Sequence, residues 1–193
     1  MAQADAAVGA GTRLAPQVLS ERAAGRRSLE ERLGLRFPWV LRASAAALFR
    51  RPPGSRLRRA LLARSMTRAY AAANRRDFDL ILTFNDPHHY EYRPSRAFLP
   101  PDMDTVYHGA DGYRRFWRLW LDAFENIRWD LEEIVDFGEK VLVKARQSGR
   151  GSGSGVAVSE SLFQVFTFRR GLVLRQEDFL DREDALRAVR SRD

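Results

Sequence analysis

The stretch from Arg68 to Arg93 constrains the fold more than any other part of the chain. Its pattern predicts the end of one helix, a short second helix that begins at Asp77, and a tight Asn-Asp-Pro turn. After the turn, His88 to Arg93 alternates as a strand does, which places Glu91 among aromatic and imidazole side chains. A change from helices to a strand at this point predicts a sheet with helices packed against it.

Hydrophobic periodicity predicts the elements on either side of this stretch. One helix is expected from Ser55 to about Arg76, with Tyr70 on its buried face, where the hydroxyl needs a partner. A second helix, from Ala110 to Asn126, carries an aromatic stripe. From Ile127 onward the period is two, which predicts four meandering antiparallel strands before a last short helix. The predicted fold class is therefore α+β, with helices on one face of a curved antiparallel sheet.

The basic residues are concentrated before the predicted sheet. Residues 32–76 carry twelve Arg and no Asp or Glu, whereas residues 77–193 carry seventeen basic and twenty-one acidic groups. We therefore divide the chain into a disordered tail (1–27), a basic helical extension (28–54) and an α+β domain (55–193). The arginine-rich helices either present a solvated face or contact an anionic membrane surface or an acidic partner. We expect no nucleic-acid partner.

Several classes of protein are disfavoured by what the sequence lacks. There is no Cys, which excludes disulfides and thiolate chemistry. The most apolar run, Phe37 to Phe49, is too short to span a bilayer and is interrupted by Arg42, so we expect a cytoplasmic protein. The run SGRGSGSG lacks the Lys and Ser/Thr of a phosphate-binding loop and predicts a hairpin tip. We expect no cofactor.

Four segments together resemble a known family in their order and spacing: YAAANRRDFD, NDPHHYEYR, YHGADGYRRFWRLWLDAF and VFTFRRGLVLRQEDFLDREDAL. Over roughly Arg58 to Val189 the chain resembles the SnoaL-like branch of the nuclear transport factor 2-like superfamily, which includes ketosteroid isomerases and polyketide cyclases. The resemblance implies a cone-shaped domain in which the curved sheet and the helices enclose an apolar cavity. That superfamily includes isomerases, cyclases, epoxide hydrolases, dehydratases and binding modules, so the resemblance does not identify a reaction.

The resemblance also implies candidate catalytic residues. In proteins similar to ketosteroid isomerase, a carboxylate on the first strand is the general base, and that position falls on Glu91. The position of the Asp in the oxyanion hole falls on Gln164, and that of the Tyr falls on Ala69, one residue before Tyr70, so this oxyanion hole is not reproduced. Asp178 is the best match to the acidic residue of SnoaL-like cyclases.

We expect Glu91 and Asp178 to form a catalytic pair that faces one cavity. Desolvation raises the pKa of a carboxyl in an apolar pocket, which suits proton abstraction beside a carbonyl. The alternative is that Glu91 pairs with Arg93 or Arg175, or is solvated at the end of its strand. A structure that shows either carboxylate outside the cavity argues against the pair.

The remaining predicted site is a lining for an apolar ligand. Aromatic side chains on the long helix and on the strands favour a polycyclic, terpenoid or polyketide-like molecule. No metal is expected, because His88 and His89 point to opposite faces of a regular strand. The predicted ligand-binding residues are Tyr70, His89, Tyr107, Trp117, Trp120, Gln164, Phe166 and Gln176.

These observations leave two alternative functions for the chain. The first is a small-molecule pocket protein, either a cofactor-independent isomerase, cyclase or hydrolase acting on an apolar ring-containing substrate, or a binder. The alternative is a non-catalytic ligand-binding or interaction module. Its sheet face would form a homodimer, by analogy with the family, and its basic N-terminal segment would contact a membrane surface or an acidic partner.

Overall fold

The computed structural model describes residues 11–100 and 103–191, which form one sheet with helices on both sides. The strands are β1 (Thr12–Leu14), β2 (Glu91–Arg93), β3 (Tyr107–His108), β4 (Phe124–Asp136), β5 (Lys140–Gly151), β6 (Ala157–Arg169) and β7 (Leu172–Phe179). The helices are α1 (Glu21–Ala24), α2 (Leu29–Arg36), α3 (Pro38–Phe49), α4 (Arg56–Asn74), α5 (Phe78–Thr83), α6 (Gly109–Ala123) and α7 (Arg182–Arg190).

The sheet is mixed and is not closed into a barrel. Its strand order is β1-β4-β5-β6-β7-β2-β3, and β4 to β7 form the predicted antiparallel meander. Register shifts in the β4–β5 and β6–β7 ladders interrupt the pairing, and such irregularities bend a sheet. The sheet departs from the predicted antiparallel pairing at one place, where β2 runs parallel to β7. Side-chain alternation is the same in both pairings and does not reveal strand direction.

The main core lies between the concave face of the sheet and the helices α4, α5 and α6. Leu62 on α4, Phe116 and Trp120 on α6, and Ile134 on β4 are buried there. The helix α7 is the exception to the expected one-sided arrangement, because it packs on the opposite face. Its N-cap is Asp181, whose side chain accepts hydrogen bonds from the backbone N–H groups of Glu183 and Asp184.

The N-terminal residues are part of the folded body within the described range. The strand β1 pairs with β4. Arg27 makes a bidentate ion pair with Asp77, with both N–O distances at 2.6 Å. Ser28 and Glu31 form a capping box at the start of α2. The disordered tail expected for 1–27 is therefore corrected for residues 11–27, and residues 1–10 lie outside the described residues.

A buried ion pair holds α3 and α4 against the sheet. Arg58 donates to both carboxylate oxygens of Asp136 at 2.8 Å, and its Nη1 donates to the backbone carbonyls of Phe49 and Arg51. The guanidinium lies over the Phe49 ring, which also stacks on Phe168 at 4.3 Å. Among the described residues, no helix is both long and apolar enough to cross a membrane.

Candidate functional site

A cavity of about 70 Å³ lies between the concave face of the sheet and the helices α4, α5 and α6. Its walls are mostly apolar, and its polar groups come from the strands. Among the described residues, no Lys, Arg or His lines it. The lining consists of Ala69, Tyr70, Ala73, Ile81, Tyr92, Pro94, Tyr113, Phe116, Trp117, Trp120, Trp129, Gln147, Leu162, Gln164, Phe166, Gln176 and Asp178.

Asp178 is the acidic residue of the cavity, and three neutral donors hold it. Its Oδ2 accepts a hydrogen bond from the Tyr92 hydroxyl at 2.7 Å. Its Oδ1 accepts from the amide of Gln164 at 2.7 Å and, at 3.4 Å, from that of Gln176. The strand register explains this arrangement, since Gln164 lies opposite Asp178 on β6, and Tyr92 lies beside Gln176 on β2.

Burial controls the titration of Asp178. The side chain is 9% exposed, and desolvation raises its pKa from an ordinary 3.8 to about 6. The hydrogen bonds from Tyr92, Gln164 and Gln176 act in the opposite direction without cancelling the effect of burial. A carboxyl in this state exchanges its proton close to neutral pH.

A second tyrosine extends the polar network away from the carboxylate. The Tyr70 hydroxyl donates to the side-chain carbonyl of Gln164, whose amide in turn donates to Asp178. Burial, followed by the charge of Asp178, raises the pKa of Tyr70 well above its ordinary value, so the hydroxyl keeps its proton. The prediction that the buried Tyr70 hydroxyl needs a partner is confirmed.

The aromatic walls pack on one another as well as on the cavity. Trp117 contacts Trp129 edge to face, with ring centres 5.1 Å apart, and Phe116 stacks on Trp120 at 5.6 Å. The Trp129 indole N–H donates to Gln147 at 2.8 Å, so both polar groups are satisfied inside the apolar wall. Such interlocked rings make the helix side of the cavity rigid.

Glu91 does not lie in this cavity. It lies beside Arg175 in the β2–β7 ladder, on the face of β2 opposite to Tyr92. Its carboxylate accepts from Arg93 at 2.9 Å and from Arg175 at 3.2 Å. Burial acts to raise the pKa of Glu91, but the charges and hydrogen bonds of these two arginines outweigh burial and lower the pKa below its ordinary value. The prediction that Glu91 and Asp178 face one cavity is wrong, and the alternative pairing with arginine is confirmed.

Two other predicted lining residues also lie outside the cavity. His89 belongs to an exposed turn, where its ring and its backbone N–H bind Asp86, so the predicted strand begins only at Glu91. Tyr107 is buried on β3 and packs edge to face on Phe116, behind the cavity wall. Within the residues that the structure describes, no three His, Asp or Glu side chains form a metal-ligating group.

The structure brings the other predicted residues together and adds several more. The predicted residues that line the cavity are Asp178 with Tyr70, Trp117, Trp120, Gln164, Phe166 and Gln176. The main polar residue missing from the prediction is Tyr92, and the signal that could have found it is the alternation that puts Tyr90 and Tyr92 on the face of the strand opposite to Glu91. Trp129 and Gln147 were also missed, and their signal was the period-two pattern of β4 and β5.

Comparison with known proteins agrees with this geometry. Residues 66–176, more than half of the chain, match the SnoaL-like domain family. The structure of TerC co-crystallised with polyporic acid is similar at 20% identity, with a TM-score of 0.55, covering 66% of this chain and 97% of that chain. A nuclear transport factor 2-like protein of unknown function from Burkholderia pseudomallei is similar at 20% identity and a TM-score of 0.56, covering 66% and 96%.

A third solved structure, TsrD from Streptomyces laurentii, is similar at 26% identity with a TM-score of 0.50, covering 64% of this chain and 90% of that chain. The search of proteins with curated functions gave no match. The sheet with its helices reproduces the fold of these structures, and the cavity lies mostly within the matched residues. The chain therefore belongs to the SnoaL-like domain family.

Proposed function

We propose that this protein is an acid–base enzyme. In it, Asp178 transfers a proton from one atom to another of an apolar carbonyl compound bound in the cavity. One observation carries the proposal. A buried carboxyl with a pKa of about 6 lies in an aromatic cavity and is held by neutral donors rather than by a cation. A salt bridge would keep such a group ionised and unreactive, whereas neutral donors leave it able to accept and return a proton near pH 7.

The proposed step is a proton transfer between carbon and oxygen. The Asp178 carboxylate takes a proton from the carbon beside the substrate carbonyl, which leaves an enolate and a neutral Asp178. The proton then returns to a carbon or oxygen of the substrate, and the carboxylate is restored. Gln176 is suited to donate to the enolate oxygen, because its 3.4 Å contact with Asp178 leaves its N–H weakly used.

The cavity restricts the substrate by its shape as well as by its apolar walls. A volume of about 70 Å³ is smaller than the roughly 150 Å³ that a protein cavity needs to hold a benzene ring. A ring-containing substrate therefore requires wall side chains to move outward on binding, a change that is common at binding sites. Phe166 is the suited group, because it is only partly buried and does not belong to the interlocked rings of α6.

Exchange of hydrogen for deuterium beside a carbonyl tests the proposal without knowledge of the natural substrate. Cyclohexanone and 2-tetralone serve as one-ring and two-ring probes in deuterium oxide, with exchange followed by proton NMR. The wild-type protein is expected to accelerate exchange, and Asp178→Asn is expected to abolish the acceleration. Glu91→Gln is the matched control, because Glu91 lies on the same sheet but faces away from the cavity.

Two results would contradict the acid–base proposal. Equal acceleration of exchange by wild type and by Asp178→Asn would show that the Asp178 carboxyl takes no part in the reaction. Binding of either ketone in the cavity with no acceleration by any protein would favour a ligand-binding module instead. Native mass spectrometry of the purified protein gives an independent reading, because it detects any small molecule that the cavity retains.

A further inference from the structure

The helix α3 is apolar on nearly all sides, yet only one side is packed. Between Pro38 and Phe49 its single charge is Arg42, whose Nε turns inward to donate to the Thr83 carbonyl at 3.4 Å. Leu48 is buried against the domain. A helix without a polar face is expected to be covered all round. The outward residues are nevertheless exposed, and they are Trp39, Val40, Ala43, Ser44 and Ala47.

Trp39 differs from every other tryptophan of the chain. Trp117, Trp120 and Trp129 are 3% to 7% exposed, whereas Trp39 is 69% exposed. The neighbouring helix α2 also carries exposed apolar side chains, and it lies against α3, where Gly34 packs directly against Leu41. We call this area the α2–α3 surface, and it consists of the exposed side chains of Leu29, Leu33, Phe37, Trp39 and Val40.

The arginines of this region fall into two groups. The first group is engaged with acidic side chains, as the buried Arg58 is with Asp136 and the exposed Arg64 is with Glu30. The second group is exposed and, within residues 11–100 and 103–191, has no ion pair, although the guanidinium of Arg36 lies 6.0 Å from the centre of the Phe37 ring. This second group consists of Arg32, Arg36, Arg50, Arg51, Arg56 and Arg59, in a segment that has no acidic residue from 32 to 76.

We propose that the α2–α3 surface binds an anionic membrane surface, with α3 lying flat in the interface. Trp39 and its apolar neighbours would enter the boundary between headgroups and acyl chains, where an indole ring is well accommodated. Arg36 before α3, and Arg50 and Arg51 after it, would meet lipid phosphates at the two ends of the helix. A bilayer supplies a continuous apolar layer beneath a layer of phosphates, whereas a nucleic acid has no apolar layer to cover the aliphatic side chains of this surface.

Sedimentation of the full chain with vesicles tests this proposal. The vesicles contain either phosphatidylcholine alone or equal parts of phosphatidylcholine and phosphatidylserine. Binding is expected only to the second kind and is expected to weaken as salt is added. The tryptophan emission is expected to shift to shorter wavelength on binding, and the shift reports on Trp39 because the other three indoles are already buried.

Two variants and two matched controls separate the apolar contribution from the charge. Trp39→Ser is expected to abolish the emission shift and to weaken binding, and the double variant Arg50→Glu/Arg51→Glu to weaken binding by more than about tenfold. The controls are Leu119→Ser and Arg118→Glu, which change an exposed apolar and an exposed basic side chain on α6. Both are expected to bind as the wild type does, and circular dichroism checks that all four variants fold.

Three results would overturn the proposal. The first is no binding of the wild type to the phosphatidylserine vesicles. The second is binding that the Arg50→Glu/Arg51→Glu variant retains in full. The third is a dimer in sedimentation equilibrium that Trp39→Ser dissociates, together with no lipid binding, because a second copy of the chain would then cover the α2–α3 surface. Dimerisation through the sheet face, predicted by analogy, would be insensitive to Trp39→Ser.

Discussion

The two faces of the sheet at β2 and β7 hold carboxylates in opposite electrostatic surroundings. On the cavity face, Asp178 is buried among neutral donors, and its pKa rises to about 6. On the outer face, Glu91 lies between Arg93 and Arg175, and its pKa falls below the ordinary value. Adjacent residues of a strand reach these two environments, because Tyr92 points to one face and Glu91 to the other.

The difference shows that burial and partner chemistry together decide whether a carboxyl is suited to acid–base work. Asp136 is buried more completely than Asp178, at 0% exposure, but Arg58 donates hydrogen bonds to both of its carboxylate oxygens. Its role is therefore to join α4 to β4. Asp178 has hydroxyl and amide donors instead of a cation, which is the arrangement that leaves a carboxyl able to change its charge near neutral pH.

The largest expected effect removes the cation from a buried carboxylate. Arg58→Met leaves Asp136 as an uncompensated buried charge, so the free energy of unfolding is expected to fall by about 3–5 kcal/mol. Urea denaturation measures this loss. Arg56→Met, two residues earlier on the exposed side of α4, is expected to change stability by less than about 0.5 kcal/mol. Similar effects of the two substitutions would contradict the buried ion pair.

The next effect lies in the pH dependence of stability at Asp178. Its pKa is higher in the folded state than the ordinary 3.8, so between these values the folded state binds more protons than the unfolded state. Its contribution to stability therefore decreases as pH rises through this window. From about pH 4 to about pH 7, wild type is expected to lose up to about 3 kcal/mol relative to Asp178→Asn.

Urea denaturation of both proteins across this window measures the difference, and effects of other groups cancel because the two are compared at each pH. A difference in stability that stays constant, or that grows in favour of wild type as pH rises, would show that Asp178 titrates as an exposed or cation-paired carboxyl does. The distinction between the two faces of the sheet would then fail.

A smaller effect concerns the hydroxyl that holds Asp178. Tyr92→Phe removes the 2.7 Å hydrogen bond to Oδ2, so stability at neutral pH is expected to fall by about 1.5–3 kcal/mol. The pKa of Asp178 is expected to rise further, since this bond lowers it. Tyr90→Phe is the matched control, because its ring is equally buried and its contact with Gln176 is a long 3.4 Å. Equal losses would contradict a special role for Tyr92.

The smallest effect is expected on the outer face. Glu91→Gln breaks partly exposed ion pairs, so it is expected to cost about 1 kcal/mol or less at neutral pH. The folded-state pKa of Glu91 is lowered, so the contribution of its charge is present above the unfolded pKa and is lost as pH falls through the folded pKa. The stability difference from wild type should therefore shrink in acid, opposite in sign to Asp178→Asn. A difference that grows in acid would contradict this account.

Much of the fold followed from periodicity, because each predicted element has one buried face. The aromatic stripe located α6, and the period-two pattern located β4 to β7. The resemblance then assigned Gln164 and Asp178 to the cavity. The parallel pairing of β2 with β7 did not follow, since alternation is the same for both strand directions. The structured state of β1 and α1 was not predicted, because short segments gain their structure from contacts with the rest of the fold.

The candidate site was predictable on β6 and β7 and not on β2. Resemblance placed Glu91 in the cavity, whereas the structure buries Tyr90 and Tyr92, which share the opposite face of the strand. Both cannot face inward, because neighbouring residues of a strand point to opposite sides. The exposed turn at His89 shortened the strand as well, through hydrogen bonds to Asp86 that residue type alone does not predict.

The most direct test is the titration of the Asp178 carboxyl by carbon-detected NMR, with the signal assigned by its loss in Asp178→Asn. We expect a midpoint near pH 6 for Asp178, and a midpoint below the ordinary glutamate value for Glu91 in the same spectra. A midpoint for Asp178 at or below the ordinary 3.8 would contradict the claim that burial among neutral donors prepares this carboxyl for proton transfer.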